Sequence, residues 1–416
     1  MSSIPTPATI NTGSNSNSNS KVVAVSNERV LAGTLNLPVS QAISIPDVKH
    51  ELLIVPSSSI PSFGTYFNVD VRDLNIQVHN IALQFILGAV IGSTGMVGCF
   101  NPAFHFINHI DVVQSGNIIQ TLYGDEQFLM NQVLEYDEDR ISINNMAGNY
   151  ASVAQRTLLS SQTTPNTLYV NLRTYFDETK LNLLTSAHNI QLRVYMEPLV
   201  NCFAVSSGTL TSCAINSCSA ICKVSRLDPA TSQQRLGEMT LRNYHHIFHD
   251  LHYSNFTIPA GIARSTTILA GISGNVSSLF FTVRASTTTN QKWVFKQIQS
   301  FAILNSSSTN IVGGQEIPSS LASNVLNRDW CKSSYNSETS LGMNDQSANY
   351  YCWGFSADVI SSLTNGQALG TYRFTGQEQL VITLPSAFAG QLQVDVYAKM
   401  EMVLEQTPYT VMKKSF

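Results

Sequence analysis

Four places in the chain bring together side chains of types able to do chemistry. His245-His246-Ile247-Phe248-His249-Asp250-Leu251-His252 packs imidazoles and a carboxylate into one short run, and both are good ligands for zinc and related ions. On a strand, however, His245, His249 and Asp250 do not share a face, so polar histidines in a β edge or loop are expected rather than a metal site. Cys213, Cys218 and Cys222 could supply thiolates, but they lack paired C-x2-C knuckles and sit in a small, apolar stretch, which suits packed free thiols. The acidic run Glu135, Asp137, Glu138 and Asp139 has the residue type of glycoside chemistry, yet it follows a helical segment and ends at Arg140, as a solvated helix exit does. His50-Glu51 opens like a metalloprotease motif and then places Ile54 where the second histidine is required. Phosphate-binding glycine loops, dinucleotide fingerprints and nucleophile elbows are missing. No catalytic, cofactor-binding or metal residue is therefore assigned, and no enzyme or cofactor is expected.

The elements that carry these residues are almost all strands. Phe67, Val69 and Val71 alternate with Asn68, Asp70 and Arg72; Ile76 and Val78 continue the pattern into Ile81, Leu83 and Phe85. Leu168, Val170 and Leu172 repeat it, and Leu392, Val394, Val396, Ala398, Met400 and Met402 show it most cleanly. Period two is the mark of half-buried strands. Two segments read as helix: Asp125 to Glu135, with acidic residues first and Phe128, Leu129 and Val133 as its apolar face, and Ser319 to Asn327. Ile81 to Phe100 carries no charge over the ~20 residues a membrane helix needs. Its upstream alternation and its Gly88, Gly92, Gly95 and Gly98 instead predict a buried strand leading into a glycine-rich loop.

Composition narrows the class further. Charged residues make up 12% of 416, about half the usual ~25%, and the net charge is −4. No basic run exceeds Lys413-Lys414, so a dedicated nucleic-acid binder is excluded. So little surface charge means either solubility through neutral polar groups or much surface buried in an assembly. The opening Ser/Asn/Pro/Thr tract lacks a signal-peptide core, and Cys99, Cys202, Cys213, Cys218, Cys222, Cys331 and Cys352 are few and odd in number. Cytosolic synthesis with reduced thiols is expected.

The chain also repeats itself. Ser115-Gly116 follows a strand and precedes a helix, as Gly313-Gly314 does in the second half; Ile190 to Tyr195 resembles Leu392 to Tyr397, and both spacings are about 200 residues. Two copies of one β domain follow, each too long for an immunoglobulin-like sandwich and suited to an eight-stranded jelly roll. The expected order is a flexible arm at 1–45, a first jelly roll at 46–203, a Ser/Cys-rich linker at 204–222, a second jelly roll at 223–405 and a tail at 406–416. The fold class is thus all-β, two tandem jelly rolls with short helices in the connections.

The stretch Asp111-Val-Val-Gln-Ser-Gly-Asn-Ile-Ile-Gln-Thr-Leu-Tyr-Gly-Asp-Glu-Gln127 resembles the first-domain signature of double jelly-roll major capsid proteins of double-stranded DNA viruses. Phe355-Ser356, Asn365-Gly366, Tyr372-Arg373-Phe374 and Val396-Tyr397-Ala398 are similar to that family's closing strands. Where giant viruses and chloroviruses carry an Asn-Pro-Gly turn, this chain has Tyr175-Phe176-Asp177-Glu178-Thr179, which points to polinton-like viruses and virophages as much as to nucleocytoplasmic large DNA viruses. The resemblance implies a virion protein: a homotrimer forming a pseudo-hexagonal capsomer of an icosahedral shell, assembled in the host cytoplasm or nucleus. Its implied partners are neighbouring capsomers, minor capsid and penton proteins, often an underlying internal membrane, and no nucleic acid directly. The family has no catalytic residues to transfer. The alternatives are a carbohydrate-binding or hydrolytic β-sandwich, which jelly rolls also host, and a membrane-penetration protein resting on Ile81–Phe100 alone.

Overall fold

The computed structural model describes residues 49–415 apart from 73–74, 101, 135–136, 149–165, 180–182, 185–188, 242, 287–294, 311–315, 319–349 and 357–369. The first half contains β1 (Lys49–Pro56), β2 (Tyr66–Val71), β3 (Ile76–Gly92), β4 (Val97–Phe100), β5 (Ile107–Gln114), β6 (Asn117–Tyr123), β7 (Asn166–Leu172), β8 (Leu183–Leu184), β9 (Ile190–Met196), β10 (Phe203–Ser207) and β11 (Leu210–Arg226). The second contains β12 (Tyr244–Ile258), β13 (Arg264–Ile268), β14 (Ser273–Ala285), β15 (Ser300–Leu304), β16 (Ile317–Pro318), β17 (Tyr350–Gly354), β18 (Tyr372–Thr375), β19 (Gln379–Thr383), β20 (Leu392–Gln406) and β21 (Val411–Ser415).

In the first half the sheets run β1-β11-β3-β7 and β2-β9-β5-β6; in the second they run β12-β20-β14-β17 and β13-β19-β15-β16. With β4, β8, β10, β18 and β21 set aside as additions, both halves obey one rule: principal strands 1-8-3-6 form one sheet and 2-7-4-5 the other. That is jelly-roll order. The alternation expected from sequence makes it possible. Phe67, Val69 and Val71 from one sheet meet Ile81, Leu83 and Phe85 from the other in a common core, and Phe281, Val283, Val394 and Val396 meet Phe301, Ile303, Leu380 and Ile382 in the second.

This topology corrects part of the repeat. Ile190 to Tyr195 lies in β9, the seventh principal strand, whereas Leu392 to Tyr397 lies in β20, the eighth; the counterpart of β20 is β11. Both matched strands are interior to their sheets and share an in/out pattern, so their sequences look alike without being equivalent. The mispairing ended the first domain too early. Residues 204–222 are not a linker but β10 and most of β11, whose inward Cys213, Ile215, Cys218, Ala220, Cys222 and Val224 are buried in the core. Small Cys, Ala and Ser side chains hide that period from a hydropathy reading. The tail expected at 406–416 likewise contains β21, paired with β20.

Ser115 and Gly116, at φ 50° and 81°, form the left-handed turn between β5 and β6. Ile81–Phe100 is the rest of β3, whose inward side chains are buried through Leu87 and which ends exposed at Ile91, then a turn and β4, and among the described residues no helix is long and apolar enough to cross a membrane. The first expected helix is present at Gly124–Leu134. The acidic run does not merely leave it: Asp137–Met146 is a second helix. A later helix, Pro229–Leu241, has Asp228 Oδ1 accepting the amides of Ala230 and Thr231, each at 3.0 Å. Its Asp-Pro start is a cap signal that the apolar pattern did not reinforce. The arm at 1–45, the helix at Ser319–Asn327, Gly313-Gly314, Asn365-Gly366 and Cys331 lie outside the described residues.

Candidate functional site: the seam between the two sandwiches

The sequence-derived candidates scatter when folded. The histidine run lies on β12 with His245 exposed and His249 fully buried. His249 stands opposite Glu401, while Asp250 stands opposite Met400 and accepts Lys413 Nζ at 2.6 Å, so the two do not converge. Burial is the main cause lowering the pKa of His246 and of His252. Cys213, Cys218 and Cys222 point into the first core as free thiols; burial pushes them up to about 11, 12 and 12. Glu51 pairs with Arg226 at 2.7 Å, and His50 Nδ1 shares the Ser225 hydroxyl, at 2.8 Å, with His79 Nε2. Asp139 of the acidic run is exposed. Among the described residues no three His, Cys, Asp or Glu side chains form a metal set.

What tertiary structure assembles instead is a polar junction inside the compact unit Asp47–Phe416. The helix Gly124–Leu134 follows β6 and carries Glu126 into the outward face of β20, where Lys399 Nζ lies 2.6 Å from its Oε1. Both side chains are 0% exposed, and Gln127 Nε2 donates to the other Glu126 oxygen at 2.8 Å. Gln120 of β6 is a second tie: its Nε2 donates to the His249 carbonyl at 3.0 Å, and its Oε1 accepts the Tyr175 amide at 2.9 Å. Tyr175 in turn sets its ring 5.7 Å from Phe248 of β12 and donates its hydroxyl to Gln114 Oε1 at 2.6 Å.

Arg284 of β14 lies beside these ties and is paired within its own sandwich. It reaches Asp395 Oδ2 at 2.7 Å. Burial by itself would lower its guanidinium, but Asp395 and then Asp125, the latter from the first sandwich, outweigh this and push it up. Tyr253 donates to Asp395 Oδ1 at 2.7 Å; burial and then Asp395 raise its phenol. A cleft of about 280 Å³ opens here, lined by Tyr123, Asp125, Glu197, Tyr253, Arg284 and Tyr397 among others.

The fold also makes a row of aromatics beside a carboxylate that no single stretch of the sequence displays. Tyr66, Tyr195, His109 and Tyr123 occupy one register level across β2, β9, β5 and β6. His109 stacks on Tyr195 at 4.1 Å, and Tyr123 meets Tyr253 of the second sandwich at 4.8 Å. Asp111 lies one level down the same outward face. These residues come from four separated strands, so only the register of the sheet brings them together. Among the described residues the junction holds no nucleophile with its base; it fixes two sandwiches against each other.

No protein-family model and no curated protein matches the sequence. Solved structures do. The chain is similar to the subunit in the quasi-atomic PBCV-1 virus capsid, with TM-score 0.68 and 14% identity over 89% of this chain and 98% of that one. The fold is the double jelly roll of viral capsid proteins. The Faustovirus major capsid protein aligns with this double jelly roll at TM-score 0.63 and 8% identity, over 90% and 93% of the two chains. The Sputnik virophage structure aligns at 0.59 and 11%, over 95% and 93%. The matches thus take in most of both jelly rolls.

Proposed function

We propose that this chain is the major structural subunit of an icosahedral virus shell and acts as a homotrimeric, pseudo-hexagonal capsomer without enzymatic turnover. The observation that carries the proposal is the coverage: capsid subunits are matched over 93–98% of their own length by both sandwiches together. A fully buried ion pair between the sandwiches supports it, because a tile must keep its two towers in fixed relation. Low charge supports it too, since interface cores are depleted in charged residues. Its partners in this reading are neighbouring capsomers and minor capsid and penton proteins, its place is the virion, and its integrity needs neither metal nor disulfide. Light scattering of the purified full chain should give a trimer mass that EDTA and dithiothreitol leave unchanged. A monomer under native conditions, or dissociation on chelation, would refute it.

A second reading, carbohydrate binding, is favoured by one observation: the row Tyr66, Tyr195, His109 and Tyr123 beside Asp111 is a platform on which sugar rings could stack. Glycan-array binding abolished by Tyr66→Ala would establish it.

A further inference from the structure

The cleft of about 280 Å³ at the seam is close in size to the smallest small-molecule pockets. Tyrosines from both sandwiches line it: Tyr123 lies 4.8 Å from Tyr253, and Tyr253 lies 5.3 Å from Tyr397 between ring centres. Two buried carboxylates line it as well, Asp125 and Glu197. The Glu197 oxygens accept neutral amides, Asn108 Nδ2 at 2.7 Å and Asn201 Nδ2 at 2.8 Å, and Asp125 Oδ1 lies 2.6 Å from His105 Nδ1. The Arg284 guanidinium is committed to Asp395. Among the described residues around the cleft, Asp125, Glu197 and Asp395 thus stand against one guanidinium, with the His105 imidazole beside Asp125.

A second observation points to a ligand. Tyr397 lines the cleft and is only 2% exposed, yet its hydroxyl makes no hydrogen bond among the described residues. Buried polar groups are ordinarily paired, so this phenol takes its partner from whatever fills the cleft. Burial, then Asp125 and Asp395, hold it well above its ordinary pKa, so it stays neutral with lone pairs to offer.

We propose that the cleft binds a primary alkylammonium group, free as a short diamine or carried on a lysine side chain, whose nitrogen donates to the Tyr397 hydroxyl in the field of Asp125 and Glu197. An ammonium has three donors and no acceptor, which suits a phenol oxygen among carboxylates, and tyrosine rings attract cations and cover methylenes. A bare divalent ion wants a cage of oxygen ligands, and among the described residues no three His, Cys, Asp or Glu side chains form one. An anionic ligand would meet the carboxylates. Both sides of the cleft belong to one chain, so the site does not depend on the trimer.

Isothermal titration calorimetry of the full-length chain, near neutral pH in an amine-free buffer, tests it with cadaverine, pentylamine and pentanol. The two amines are expected to bind and pentanol is not. Tyr397→Phe removes an oxygen that has no protein partner, so circular dichroism should show the fold intact while amine affinity falls about tenfold or more, the worth of a hydrogen bond to a charged group. Glu197→Gln, which keeps the side chain's shape, should weaken binding as well. Displacement of cadaverine by Nα-acetyl-lysine methylamide would assign the site to chain-borne lysine, and binding of the free amines alone to small diamines. Pentanol binding as tightly as pentylamine, amine binding that neither variant weakens, or no amine binding at millimolar concentration overturns the proposal.

Discussion

Breaking the Lys399–Glu126 pair should destabilise the protein far more than removing both charges. At the 2.6 Å separation, Coulomb attraction at an effective dielectric near 20 is about 6 kcal/mol. Withdrawing each ion from water costs several kcal/mol, so the intact pair is close to break-even against apolar side chains. Lys399→Met alone leaves a carboxylate at 0% exposure with its cation removed, and Glu126→Leu alone takes away the carboxylate 2.6 Å from an ammonium at 0% exposure. Each single change should cost about 3–5 kcal/mol, and the double variant should recover most of that. In a cooperative unit the size of Asp47–Phe416, about 4 kcal/mol lowers Tm by about 5 °C. Thermal and urea unfolding of wild type, both singles and the double, at one protein concentration, close the thermodynamic cycle. Additive costs in the double variant, or single variants within ~1 kcal/mol of wild type, would show that the seam is not a buried, coupled ion pair.

Gly124→Ala should be among the most damaging small substitutions, because a Cβ there would collide with the carbonyl oxygens of Phe104 and Ile107, which are backbone and cannot yield. Stability measured by urea melts should fall by about 3 kcal/mol or more, the upper end of overpacking costs. Cys213, Cys218 and Cys222, pushed up to about 11, 12 and 12, should resist iodoacetamide at pH 8 in the native protein and react fully in denaturant, as read by peptide mass spectrometry. Their raised values also mean that this stabilisation is complete below the unfolded thiol value of 9.0 and is lost as the pH climbs toward 11–12, so urea midpoints should fall above pH 9; constant midpoints to pH 11 would contradict it. His79, His109, His246 and His252 are all lowered, chiefly by burial, so their contribution is present above 6.5 and lost as the pH falls below it. Urea midpoints should therefore drop between pH 7.5 and 5.5, and a flat profile would argue against neutral, half-buried imidazoles.

Much of the fold was legible in local pattern. Alternation at Phe67–Val71, Ile81–Phe85 and Leu392–Met402 is set by the pleat, which sends neighbouring side chains to opposite faces, and the hydrophobic effect then selects the buried one. The strand character of Ile81–Leu87 and the helix near Asp125 needed nothing more. Chain length between turns was enough to reach two jelly rolls. The sequence failed where local signals are degenerate. Ile190–Tyr195 and Leu392–Tyr397 look alike because every interior strand obeys the same period, and only pairing tells the seventh strand from the eighth. The Ser/Cys stretch became β11 because β1 and β3 hydrogen-bond to it on both sides, a stabilisation that no propensity of its own residues announces. The seam was further from reach. Glu126 and Lys399, or Gln120 and the His249 carbonyl, are far apart along the chain and meet only when two finished sandwiches dock. A charge reads as surface in any local window; burial at 0% beside its partner is decided by long-range packing, because only there can Coulomb attraction offset the loss of water.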